Sequence, residues 1–187
     1  RNHSSAASDV YKRQMYNQVV TVNGVSKSFA MTGWRLGYIG APNWIASACT
    51  KIQGQFTSGA SCISQRAALA AVSEDPKVVI PMKNAFLERR NYMIKELRSI
   101  SGFNINEPEG AFYLFPDVSA FFGKEFKGIK ITNADELCLF LLEEAKVALV
   151  TGNAFGSPNC IRISYAASME ELKEAIGRIK NAISLLY

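Results

Sequence analysis

Towards the end of the chain, apolar residues recur with a helical period. Leu172, Ile176, Ile179, Ile183 and Leu186 are spaced four, three, four and three apart, which places them on one face of a helix. Ser168, followed three positions later by Glu171, predicts a capping box at its start. A second helical pattern opens at Pro76: Met82, Phe86, Met93, Leu97 and Ile100 are spaced four, seven, four and three, and Gly102 stops it. A helix of that length can link two domains. Shorter helical patterns begin near Trp44, over residues 61–73 and at Asn133, where Glu136 is placed for another capping box. Between these lie short strand signals. The run QVVTVNG over residues 18–24 is rich in β-branched residues and closes on Asn23-Gly24, so it reads as a buried strand ending in a turn. Residues 36–40 read as a second strand, halted by Pro42. Residues 103–106, 111–115, 147–150 and 160–164 add further extended segments. Across 160–165 the alternation puts Ile161, Ile163 and Tyr165 on one face, with Cys160, Arg162 and Ser164 on the other.

Strands interleaved with helices make the fold class α/β. Residues 1–14 (RNHSSAASDVYKRQ) have no periodicity and are expected to be a non-native leader outside the fold. The body divides into residues 15–80, with part of a parallel sheet, and residues 81–187, a linking helix followed by a compact α+β domain. Two strands alone make an incomplete parallel sheet, so the chain is expected to be the C-terminal part of something longer.

Composition narrows the chemistry. With 187 residues, 48% hydrophobic and 20% charged, the chain is ordinary globular material and not a disordered or disulfide-scaffold protein. The net charge of +5 is spread without a basic run, so neither a nucleic-acid nor a membrane partner is expected. The single histidine, His3, lies in the leader, which excludes a Ser-His-Asp or Cys-His triad from the body. Cys49, Cys62, Cys138 and Cys160 form no C-x-x-C pair, so no metal site is expected and they read as buried, reduced thiols of a cytoplasmic protein. No apolar stretch approaches the roughly 20 residues that span a bilayer.

The most informative stretch is VNGVSKSFAMTGWRLGYIGAP, residues 22–42. Lys27 follows a strand among small and apolar residues, and Arg35 comes eight positions later. An amine among apolar neighbours and near a second cation is disposed to be neutral and to attack a carbonyl. A guanidinium offers a planar fork of donors to a phosphate. Together they suggest an aldehyde cofactor carrying a phosphate, pyridoxal 5'-phosphate, held covalently by Lys27 and gripped by Arg35. A solvated loop lysine beside a surface arginine is the plain alternative. Gly33, Gly37 and Gly40 are spaced G-x-x-x-G-x-x-G, which matches neither a dinucleotide loop nor a Walker loop; turns and close backbone approach explain them better. Arg162, inside a short strand, needs an anion or a solvent cleft on its side, or a structural ion pair with a glutamate. Phe112 reads either as the wall of a substrate pocket or as a core aromatic.

The segment SKSFAMTGWRLGY resembles the cofactor-lysine motif of the class I/II aminotransferases, the fold-type-I pyridoxal-phosphate enzymes. EPEGAFYLFPDVS at residues 107–119 and NCIRISYAAS at 159–168 extend the likeness more weakly, and the nearest likeness is to bacterial aspartate aminotransferases. The resemblance implies the C-terminal part of that fold: a partial large cofactor-binding domain over 15–80 and the small domain over 81–187. It makes Lys27 the lysine that carries the cofactor and moves the substrate proton, Arg35 a phosphate ligand, and Arg162 the anchor of the substrate α-carboxylate. It implies transamination between an amino acid, aspartate first, and a 2-oxo acid, by a homodimer. Some members have a serine three residues before the lysine where this chain has Gly24. The family's ring-nitrogen aspartate and cofactor-side tyrosine lie well upstream of the lysine, and only 26 residues precede Lys27, so the chain alone is expected to be poorly active or inactive. A carbon-sulfur lyase of the same fold would use the same three residues, and a cofactor-sensing regulatory domain of this fold is a third reading.

Overall fold

A computed structural model describes residues 16–187, which separate into two compact units, one ending at Ile80 and the other spanning Pro81–Tyr187. The expected leader, with His3, lies outside the described residues.

In the first unit β1 (Thr21–Gly24) pairs with β2 (Gly37–Gly40), with Thr21 opposite Gly40 and Gly24 opposite Gly37. The pairing is antiparallel, not the parallel arrangement expected, because the chain between them returns directly and has no crossover helix to carry it back to the same end. Neither strand is buried: Val22 is 75% exposed, against the expectation of a buried strand. A two-stranded ribbon has little against which to bury either face. Helices α1 (Asn43–Phe56) and α2 (Cys62–Ser73) follow; α1 has no buried residue, and α2 buries only Ser64 and Ala68. Val25, just after β1, is fully buried.

The second unit carries the core. A short 3-10 turn, Pro76–Val79, leads into α3 (Ile80–Arg98), so the helix starts four residues later than the pattern suggested. Asp75 caps that turn by accepting a hydrogen bond from the Lys77 N–H at 2.9 Å, which fixes the separate first turn. Helix α3 contributes Met93, Ile94 and Leu97 to the core. A three-stranded antiparallel sheet has the order β3 (Tyr113–Leu114), β7 (Ile161–Ser164), β6 (Val150–Thr151). The 147–150 segment pairs only at its end, and residues 103–106 form no strand: Asn104 makes a single bridge with Asp117. A small hairpin, β4 (Glu125–Phe126) and β5 (Ile129–Lys130), turns through Lys127 and Gly128, both at positive φ as a two-residue turn demands. Helices α4 (Ala134–Ala145) and α5 (Met169–Ile183) complete the unit.

Local chemistry explains both helix starts. In α5 the Ser168 hydroxyl accepts from the Glu171 N–H and Glu171 accepts from the Ser168 N–H, a full capping box. At α4 the Asn133 side chain accepts from the Glu136 N–H, but the Glu136 carboxylate reaches one residue further back, to the N–H and hydroxyl of Thr132. The box is therefore only half formed, with Thr132 the residue satisfied. The periodic apolar face of α5 is buried as its spacing predicts, with Leu172, Ile176 and Ile179 each under 5% exposed. They join Leu137, Leu141, Ile161, Ile163 and Tyr165 in one core cluster.

Candidate active site

The connection between β1 and β2 folds on itself through backbone hydrogen bonds. The Phe29 N–H donates to the Val25 carbonyl at 3.2 Å, the Ala30 N–H to Lys27 at 3.3 Å and the Trp34 N–H to Met31 at 3.2 Å. Its ends are pinched where Gly24 faces Gly37: a Cβ on Gly37 would lie 3.2 Å from the Asn23 carbonyl oxygen and one on Gly24 3.3 Å from that of Leu36. That crowding is the physical reason for glycine at both places; Gly33 has open space and no such requirement. Lys27 and Arg35 both lie on this connection, and both are exposed. The apolar neighbours expected around Lys27 do not enclose it: Lys27 is exposed, while Val25 is buried and Phe29 and Met31 are half-buried. The Arg35 guanidinium donates to the Thr32 carbonyl at 3.0 Å, which ties it back to its own turn. Ala30 and Arg35 sit at φ of 53° and 52°, a left-handed backbone that costs a non-glycine residue about 1–2 kcal/mol. Two such residues in one short connection mark it as a place where conformation is held against local preference.

In the second unit, β7 places Arg162 as its alternation predicted. Ile161, Ile163 and Tyr165 are 0%, 3% and 2% exposed, and Arg162 is half-buried on the opposite face. Tyr113 lies directly across from Ser164, hence diagonal to Arg162 on that same face. The Arg162 guanidinium carbon is 4.5 Å from the Tyr113 ring centroid and 4.6 Å from that of Phe155, over both rings. Among the described residues it has no carboxylate partner, so the glutamate ion pair weighed as an alternative is not formed. No local pattern in the sequence marks Phe155 or Tyr113 as partners of this arginine. Phe155 arrives on the turn Gly152–Phe155, whose closing Gly156 in the left-handed region signals the turn alone.

Phe112 is half-buried and packs against the core beside Phe86, with ring centroids 6.0 Å apart. Its carbonyl accepts from the Tyr165 N–H at 2.9 Å, and the Tyr165 hydroxyl donates to the Ala111 carbonyl at 3.0 Å. Burial pushes the Tyr165 hydroxyl above its ordinary range. Arg90 of α3 fixes the approach to this segment by donating to the Pro108 carbonyl at 2.9 Å. Of the four site residues, Lys27 and Arg35 lie in the first unit and Phe112 and Arg162 in the second, where Phe112 packs on the core and Arg162 lies on the face of β7 turned away from it.

The cysteines are not the buried thiols expected. Cys49 and Cys62 are exposed and Cys138 and Cys160 half-buried, all four free. The helices that carry Cys49 and Cys62 bury almost nothing. Among the described residues no group of three His, Cys, Asp or Glu side chains is placed to hold a metal, and no helix is long and apolar enough to cross a membrane.

The sequence profile of the family "Aminotransferase class I and II" matches residues 2–179. A Petunia hybrida protein named bifunctional aspartate aminotransferase and glutamate/aspartate-prephenate aminotransferase is 53% identical over 173 residues, which is 90% of this chain and 36% of that protein. An aspartate aminotransferase of Streptomyces avermitilis is 44% identical, covering 91% of this chain and 42% of its own length. Among solved structures, the aspartate aminotransferase of Rhizobium meliloti superposes with a TM-score of 0.90 at 41% identity, over 94% of this chain and 44% of that one. The chain thus spans about two-fifths of the length of these relatives.

Proposed function

Because the chain belongs to the class I and II aminotransferase family, we propose that it holds pyridoxal phosphate through Lys27 and Arg35 and binds the α-carboxylate of an amino acid through Arg162, for transfer of the amino group to a 2-oxo acid. The observation that carries this reading is the β1–β2 connection, which presents a primary amine and a guanidinium eight residues apart, both exposed, between strands pinched together at Gly24 and Gly37. The donor set fits the cofactor. An amine condenses with its aldehyde, a guanidinium takes its phosphate in a bidentate fork, and the hydroxyl of Ser28 is exposed beside them. When bound, pyridoxal phosphate supplies an electron sink for the pair left at the substrate Cα.

The chain's own groups do the rest. Lys27 removes a proton from the substrate Cα and redelivers it two atoms along, the 1,3-shift that transamination requires. Arg35, hydrogen-bonded to Thr32, gives the phosphate a fixed cation. Arg162 fixes the α-carboxylate, and with it the direction of the Cα–H bond. Phe112 forms an apolar wall of the substrate pocket. Aspartate with 2-oxoglutarate is the pair favoured by the names of the relatives. A homodimer in the cytoplasm belongs to the same proposal, supported by the family alone. In the intact gene product, with pyridoxal phosphate added, oxaloacetate is expected from aspartate and 2-oxoglutarate, and Lys27→Ala is expected to abolish it. Cleavage of cystathionine at a comparable rate would favour the carbon-sulfur lyase instead.

A further inference from the structure

The guanidinium carbon of Arg162 lies over two aromatic rings, 4.5 Å from the Tyr113 centroid and 4.6 Å from that of Phe155, so both rings pack against the charged group. Among the described residues no carboxylate pairs with it. Both rings are themselves held. Tyr113 is paired into the sheet opposite Ser164 and is in contact with Phe112, with ring centroids 4.5 Å apart. Phe155 is buttressed edge-on by Phe115, at 5.9 Å and 88°. Its turn is stapled to the start of β7 by the Gly152 N–H donating to the Cys160 carbonyl at 2.7 Å, and it is capped by Thr151, which accepts from the Asn153 N–H at 3.2 Å.

We propose that Phe155, with Tyr113, is a positioning residue that clamps the Arg162 guanidinium so that it receives a planar carboxylate in its own plane. The inference rests on the reading of Arg162 as the carboxylate anchor. An arginine side chain is long and rotamer-rich, and fixing it on binding costs conformational entropy. A guanidinium already packed against two aromatic rings has given up part of that freedom before a carboxylate arrives for a fork–fork contact. Leucine at 155 would keep the apolar volume while giving up the flat face.

The test uses the full chain labelled with 15N. L-Aspartate is titrated while the Arg162 Nε–Hε signal and the amides of residues 161–165 are followed. The parent is expected to shift saturably, and Arg162→Lys to weaken binding at least tenfold. Phe155→Leu is expected to raise the dissociation constant about three- to tenfold with an unchanged melting temperature, and Phe155→Tyr to stay within twofold of the parent. Tyr113→Leu, which removes the other ring, is expected to match Phe155→Leu and carries the test should that variant melt early. If Arg162→Lys weakens binding while both leucine variants bind like the parent, or if Phe155→Tyr binds as weakly as Phe155→Leu, the clamp is overturned and the anchor stands. No saturable shift in the parent, or Arg162→Lys binding like the parent, overturns both.

Discussion

One pair of substitutions tests how tightly the Phe155 turn is built. Gly152 is buried, and a Cβ on it would collide with the carbonyl oxygens of Ser157 and Cys160 and lie 2.9 Å from the Cys160 carbonyl carbon. All three are backbone atoms, so no side chain can swing aside. Gly152→Ala must therefore open the turn, at an overpacking cost of about 1–3 kcal/mol. It also strains the hydrogen bonds from the Gly152 N–H to Cys160 and from the Ser157 N–H to Gly152. Losing one of them adds about 1 kcal/mol, for a total of about 2–4 kcal/mol. Gly177, in α5, is the matched control, because its Cβ would meet nothing within 4 Å. Alanine there should stabilise by about 0.5–1 kcal/mol through helix propensity. Urea unfolding followed by far-UV circular dichroism reads both, and for a unit of this size Gly152→Ala should lower the melting temperature by roughly 10 °C. A Gly152→Ala variant within about 0.5 kcal/mol of the parent, smaller than any overpacking cost, would refute the steric argument.

Other consequences are simpler to state. Ser168→Ala removes the hydroxyl that caps α5 and should cost about 1 kcal/mol in the same unfolding assay. The Glu136 carboxyl is held below its ordinary 4.5 by hydrogen bonds from the N–H and hydroxyl of Thr132. Its contribution is complete above the unfolded carboxylate range and lost as pH falls through the lowered value, so Glu136→Gln should flatten the acid limb of melting temperature against pH. Burial pushes the Cys138 thiol up to about 11, whereas Cys49 and Cys62 are exposed. Titration with a disulfide reagent near pH 8 should label those two in a fast phase and Cys138 slowly.

What could be read from the chain is what local chemistry decides. The α5 face and its Ser168–Glu171 box depend on residues within a few turns of one another, and so does the alternation that buries Ile161 and Ile163 and leaves Arg162 on the other face. The segment SKSFAMTGWRLGY pointed to its family by resemblance, while the eight-residue spacing of Lys27 and Arg35 alone left a solvated loop pair open. Pairing partners were beyond reach. A β-branched run such as Val19 to Val22 looks alike in a buried strand and in an exposed ribbon, and nothing within it announces that β1 pairs antiparallel to β2. Glu136 fits a capping box by position, yet Thr132 offers two donors one residue earlier and takes the carboxylate. The Arg162 clamp brings together residues 113, 155 and 162 through strand register and a turn, and register is a tertiary fact.

Whether Lys27 is the lysine that carries the cofactor can be read by chemical trapping. The chain is mixed with pyridoxal phosphate, reduced with borohydride, digested, and its peptides sequenced by mass spectrometry. A pyridoxyl group is expected on Lys27, in the peptide containing Ser26 and Ser28, and is expected to be lost from that peptide in Lys27→Arg. A pyridoxyl group on another lysine in preference to Lys27, or on none, would contradict that role for Lys27.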